Sequence, residues 1–166
     1  MRTLVGIVGY RNLSDFSIGP HLLPALRDTD WESGVEVEDL SYGPIAVVQN
    51  FEDRPAYDRM ILVSAVLRGR VRGDVYRREW REPLPSEEEI QARIGEAVTG
   101  VIDLDNLLVI LQYFRVLAPE VIVFEVEPFE IECGEALSPV VEAMKPSILR
   151  SVRAEAHAGI HSSTAP

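Results

Sequence analysis

The stretch Val5–Leu26, VGIVGYRNLSDFSIGPHLLPAL, decides the fold. It opens inside Thr3–Tyr10, TLVGIVGY, an apolar run without polar alternation that ends in turn residues. Such a run marks a strand covered on both faces. A loop follows, and then Ser17 is placed to cap a helix with Pro20 in its first turn and Leu22, Leu23 and Leu26 along one side. Pro24 lies deeper and predicts a kink. Buried strand, loop and apolar helix form the first unit of a doubly wound α/β sheet. In such sheets ligands sit beyond the carboxyl ends of the strands, where the strand order reverses. This loop offers Tyr10, Arg11 and Phe16 in a place where glycines and carboxylates usually do the chemistry.

The pattern repeats outward. GVEVEDLS (34–41) alternates apolar and polar residues like a half-buried or edge strand, and PIAVVQNF is read as a helix between strands. YDRMILVSAVL (57–67) is the strongest buried strand and belongs near the sheet centre, while RGRVRGDVYRREW reads as a hairpin or an edge strand. Ser86 with Glu89 three residues later has capping-box spacing, and Asp103 or Asp105 is placed to begin the helix through Leu117. EVIVFEVEP (120–128) is a further buried strand, and Ser138 with Pro139 starts the last helix. The expectation is a single doubly wound, three-layer α/β domain over residues 1–158. Its central sheet is mostly parallel with an edge hairpin, and residues 159–166 form a flexible tail. Ligand chemistry is expected at three places: Gly9–Gly19, Ser64–Val66 and the loop before the Asp103 helix.

Bulk properties narrow the function. The 166 residues carry a net charge of −11, which argues against a nucleic-acid or anionic-membrane surface. No apolar run approaches the roughly 20 residues that span a bilayer, and the N-terminus lacks the pattern of a signal peptide, so a cytoplasmic protein is expected. One cysteine, Cys133, excludes an internal disulfide and a Cys-rich zinc site. Its acidic neighbourhood would blunt a nucleophilic thiol. Glycines at 6, 9 and 19 do not have dinucleotide-fingerprint spacing, and no nucleophile elbow occurs. His21 is placed to face the switch point, whereas His157 and His161 have no carboxylate set to complete a metal site.

Charge is distributed unevenly. Arg68, Arg70, Arg72, Arg77, Arg78 and Arg81 fall within one short segment, and six glutamates fall between Glu120 and Glu135. The arginines have three readings: a solvated edge that discourages strand pairing, a docking surface for an acidic partner, since a guanidinium fork binds carboxylates bidentately, or an internal counter-charge to the glutamate run. Strand alternation would send Arg77 and Arg78 to opposite faces.

Read end to end, the chain resembles the hydrogenase maturation endopeptidases, small α/β proteins that trim the C-terminal peptide of the nickel-iron hydrogenase large subunit. LVGIVGYRNLSDFSIGPHLLPAL is similar to the family's first strand, loop and helix. YDRMILVSAVLRGRVRGDVYRRE is similar to its central strand and following hairpin, and VIVFEVEPFEIECGEALSPVVEAMKPSI to its last strand, Glu-Pro turn and terminal helix. The resemblance implies a metal, the nickel of the immature large subunit, held by two carboxylates and a histidine. Those positions match Phe16, Ser64 and Asp105 here. A phenyl ring cannot coordinate, and a neutral hydroxyl is a poor ligand. An offset carboxylate set of Asp15, Asp103 and Asp105 is a conceivable replacement. No catalytic residue is assigned, and no cofactor or resident metal is expected. The resemblance thus implies a large subunit as partner and a non-catalytic maturation or binding factor, with an active endopeptidase or a small-ligand binder as alternatives.

Overall fold

A computed structural model of the chain describes residues 1–158, so the expected tail at 159–166, with His161, lies outside the described residues. Five strands form one sheet in the order β2-β1-β3-β5-β4. They are β1 Thr3–Val8, β2 Val35–Asp39, β3 Arg59–Ala65, β4 Val75–Glu79 and β5 Glu120–Val126. Neighbours among β2, β1, β3 and β5 pair in parallel, and β4 runs antiparallel to β5. The strands read as continuous apolar runs, β1, β3 and β5, are buried along their whole length and occupy the centre. The alternating strand β2 lies half-buried at one edge.

Of the hairpin and the edge strand that the arginine segment allowed, the structure has the edge strand. Residues 66–74 form a loop, and β4 pairs with β5 rather than with β3, which precedes it in the chain. The arginine segment supplies an edge, as its charge suggests. Its partner strand lies beyond two helices in sequence, which local turn signals do not encode.

Helices α1 Ile18–Arg27 and α5 Pro139–His157 cover one face; α2 Pro44–Glu52, α3 Glu87–Val98 and α4 Leu104–Tyr113 cover the other. The period of two sorts the core. Leu4, Leu62 and Val123 pack toward α2 and α4, while Val5, Val63 and Phe124 pack toward α1 and α5. The predicted caps form: Ser86, Asp103 and Ser138 each accept a backbone N–H from three residues ahead. Ser17 is different. A short 3-10 turn, Ser14–Ser17, leads into α1, and the Ser17 hydroxyl accepts from Leu13 N instead of from the helix. Among the described residues no helix is long and apolar enough to cross a membrane.

Arg59, at the start of β3, is fully buried. Its guanidinium lies 2.7 Å from Glu120 and also pairs with Glu155, so an ion cluster joins β3, β5 and α5 inside the protein. Arg77 reaches the same Glu155 at 2.6 Å.

Candidate functional site at the strand-order switch

The chain goes from β1 to β2 on one side and then to β3 on the other, so the switch point lies between β1 and β3. A cavity of about 240 Å³ opens there. It is lined by residues after β1 (Gly9, Tyr10, Phe16), at the end of β3 (Ser64 to Arg68) and at the start of α4 (Ile102 to Asp105). All three predicted segments meet. Phe16, Ser64 and Asp105, separated by up to 89 positions in the chain, share this one cavity.

Each wall has a local cause. Gly9 lets the chain close on itself: a Cβ there would stand 2.6 Å from the Phe16 carbonyl, and Tyr10 N donates to that same oxygen. The Phe16 ring is half-buried, packs with the α1–α5 core and meets Tyr10 edge-to-face with centroids 6.3 Å apart. The Tyr10 hydroxyl accepts from Ile102 N, so the two loops bracing the cavity are tied together. Ser64 is buried and donates only to the neighbouring Ala65 carbonyl, at 3.3 Å.

Asp15 is not a cavity ligand. It is fully buried, and its carboxylate accepts from Phe129 N (2.9 Å), Glu130 N (2.8 Å), Ser138 N (2.8 Å) and the Ser138 hydroxyl (2.8 Å). These bonds clasp the loop before α1 to the loop before α5. Asp103 caps α4 through Asn106 N. The offset set of Asp15, Asp103 and Asp105 therefore does not assemble. Among the described residues no three His, Cys, Asp or Glu side chains converge as a metal site would require. His21 turns away as well, with Nε2 2.9 Å from the Glu135 carbonyl.

The arginine segment is bound inward. Arg68 makes a bidentate pair with Asp105 (2.6 and 2.9 Å) and reaches Glu125 at 2.8 Å. Arg78 lies 2.6 Å and Arg70 2.9 Å from Glu125, and Arg70 also reaches Glu127. Arg77 leaves on the opposite face for Glu155, as alternation requires. Arg81 pairs with Glu79 at the surface. Arg72 is exposed and makes no ion pair among the described residues. The counter-charge reading accounts for Arg68, Arg70, Arg77 and Arg78. Its acceptors, however, extend beyond the glutamate run to Asp105 and Glu155.

Glu125 and Glu127 belong to the glutamate run that the counter-charge reading invoked but were not singled out as site residues; both are almost completely buried at the carboxyl end of β5. Burial pushes the Glu125 pKa up, but hydrogen bonds from Arg68 and Arg78 outweigh it, and the carboxyl titrates below its usual range. Glu127 follows the same pattern, with Arg68 N, Gly69 N and the Arg70 side chain as donors. Their signal was two glutamates interrupting an otherwise apolar strand.

Past the Arg68–Asp105 pair, which lines both spaces, a groove of about 690 Å³ continues between Arg78 and Trp80 on one side and Arg93 and Val109 on the other, with Pro83–Pro85 along its rim. Neither histidine nor cysteine lines cavity or groove. The Ser64 hydroxyl bonds to the Ala65 carbonyl, and the carboxylates lining the cavity with it are those of Asp103 and Asp105.

A doubly wound α/β domain with a switch-point cavity defines a broad class of folds. The particular fold is that of hydrogenase maturation endopeptidases. The maturating endopeptidase HybD from E. coli superposes with a TM-score of 0.72 at 23% identity, over 95% of this chain and 93% of that one. An endopeptidase from Escherichia coli solved in solution gives 0.72 at 24% identity, over 97% and 96%. The [NiFe] hydrogenase maturation protease HybD from Thermococcus kodakarensis gives 0.61 at 19% identity, over 94% and 99%. No protein-family model matches the chain, and no curated protein sequence matches it. At these identities the likeness establishes the fold, and function has to come from the site.

A divalent metal does not fit the residues at the cavity. The phenyl ring of Phe16 has no donor atom, Ser64 offers a neutral hydroxyl, and the carboxylate of Asp105 is already held by a guanidinium. No imidazole is present to make the nitrogen-oxygen set that nickel favours.

Proposed function

We propose that this protein is a hydrogenase maturation endopeptidase-like factor that binds the large subunit of a nickel-iron hydrogenase without cleaving it. One observation carries the reading. Phe16, Ser64 and Asp105, the positions at which the resemblance expects metal ligands, line one cavity at the switch point, yet Phe16 has no donor atom, Ser64 offers only a neutral hydroxyl, and Asp105 is paired with the Arg68 guanidinium. The fold supports a protein partner of this class, because solved structures sharing it include proteins named as hydrogenase maturation proteases. The surface offered to that partner is the carboxyl end of the sheet. Leu67, Val71, Phe129 and Ile131 are exposed there, and hydrogen bonds from Gly69 N and Gly73 N to Glu127 bring the first two beside the others. Of the six arginines expected to include docking residues, Arg72 is the one whose guanidinium is left for a partner.

Coexpression with a tagged nickel-iron hydrogenase large subunit, followed by affinity purification and intact mass, tests this. The expected result is a complex in which the large subunit keeps its C-terminal peptide. Loss of the peptide, dependent on this protein, would make it an active endopeptidase. Failure to form any complex would refute the reading.

A further inference from the structure

We propose that Arg68 is the resident cation of this site: its guanidinium bridges Asp105 and Glu125 as a divalent ion would, so the site is electrostatically complete without metal. In the parallel register Ser64 stands opposite Glu125, whose carboxylate is almost fully buried at the end of β5. Arg68 donates through Nη1 to Asp105 Oδ2 (2.6 Å) and through Nη2 to both Asp105 Oδ1 (2.9 Å) and Glu125 Oε1 (2.8 Å). One group thus joins α4 to β5 across the wall shared by cavity and groove.

Its backbone is held as firmly as its side chain. Arg68 N and Gly69 N donate to the fully buried Glu127, and Arg70 and Arg78 add two further guanidiniums on Glu125. A guanidinium stays charged at all physiological pH values and cannot exchange with solvent, unlike an ion. Removing Arg68 takes from Asp105 its bidentate partner and leaves it Arg78 at 3.5 Å, while Glu125 keeps Arg70 and Arg78. The carboxylate oxygens so freed suit a hard, oxygen-preferring divalent metal. The site is therefore a latent divalent-cation site that the chain fills with its own side chain. Recognition at this end of the sheet is then independent of whether a metal is present. That conclusion rests on side-chain geometry alone, and its test needs no partner protein, so its failure and that of the proposed function are separate outcomes.

The probe is Mn²⁺ alone, followed by loss of the free-ion electron paramagnetic resonance signal. The wild-type protein is expected to show no saturable site below about 1 mM, and Arg68→Met to bind at least about tenfold more tightly. The gain should disappear in Arg68→Met/Asp105→Asn, and Arg68→Lys, which keeps the charge, should behave as wild type. If Arg68→Met binds no better than wild type, or if wild type has a saturable site that Asp105→Asn abolishes, the proposal is wrong. Wild type alone gives a second reading that no misfolded variant can spoil. The guanidinium proton–nitrogen resonances of Arg68 and Arg78 should not broaden with Mn²⁺ up to about 1 mM, and selective broadening at lower concentration overturns the assignment.

Discussion

Asp15→Ala should cost more stability than any other single truncation at this end of the sheet. The carboxylate is fully buried and accepts four hydrogen bonds, all between 2.8 and 2.9 Å, from two backbone segments and one hydroxyl. Hydrogen bonds to a charged group contribute about 1.5–3 kcal/mol each, but bonds sharing one acceptor group are not additive. Removing the side chain leaves the N–H groups of Phe129, Glu130 and Ser138 without their acceptor. Some recover a partner when water enters the space. A net loss of about 3–5 kcal/mol follows, in the range seen when one side of a buried charged network is deleted. With a urea slope of about 2 kcal/mol per M, the midpoint falls by roughly 2 M. Equilibrium urea unfolding followed by tryptophan fluorescence measures this, with the protein free of divalent metal. Asp15→Asn should be nearly as damaging, since its amide turns donors toward donors. A midpoint shift under about 0.5 M in the metal-free protein would refute the clasp. It would return Asp15 to the role of a ligand whose cost appears only when metal is present.

Phe16→Ala should lower stability by about 1–3 kcal/mol, because the ring packs with the α1 core and Tyr10; an unchanged denaturation midpoint would contradict this packing. Arg59→Met, which removes the buried guanidinium that Glu120 and Glu155 share, should cost about 3–5 kcal/mol; calorimetric Tm at matched pH measures it. Glu125 and Glu127 have folded pKa values below the ordinary one, so their stabilisation is fully present above the unfolded carboxylate pKa of about 4.3 and is lost as pH falls through the lower folded values. Urea midpoints should thus hold from pH 7 to about 5 and drop below about 4, less steeply in Glu125→Gln; identical wild-type and variant profiles would contradict it.

Much of the architecture was legible because burial leaves a direct mark on sequence. β1, β3 and β5 are covered on both faces, so their residues had to be apolar throughout. The caps at Ser86, Asp103 and Ser138 were readable because capping is a three-residue interaction. The convergence of Phe16, Ser64 and Asp105 followed from the topology of doubly wound sheets, which sends strand ends to one place. Long-range polar pairings were not legible. Nothing within a few residues of Asp15 announces Ser138 as its donor, and Glu125 reads only as an interruption in a strand until Arg68, Arg70 and Arg78 are seen around it. The choice between hairpin and edge strand stayed open for the same reason: a hairpin is a local inference, and β4 finds its partner after α3 and α4.

The placement of β5 between β3 and β4 has a consequence for how the chain is made. As the protein emerges from the ribosome, β1, β2 and β3 can pair as they appear, but β4 has nothing to hydrogen-bond until β5 follows it. Until then Arg68, Arg70 and Arg78 stand without Glu125, and Asp15 stands without Ser138. Like charges held close together resist collapse, and a lone arginine-rich edge discourages pairing with another nascent chain. The arrival of one strand then supplies the partner for β4 and the carboxylate for three guanidiniums, and the start of α5 closes on Asp15. A chain stopped before Glu120 should accordingly retain β1–β3 pairing at most and remain protease-sensitive throughout residues 66–82, whereas extension past Ser138 should confer resistance in a single step.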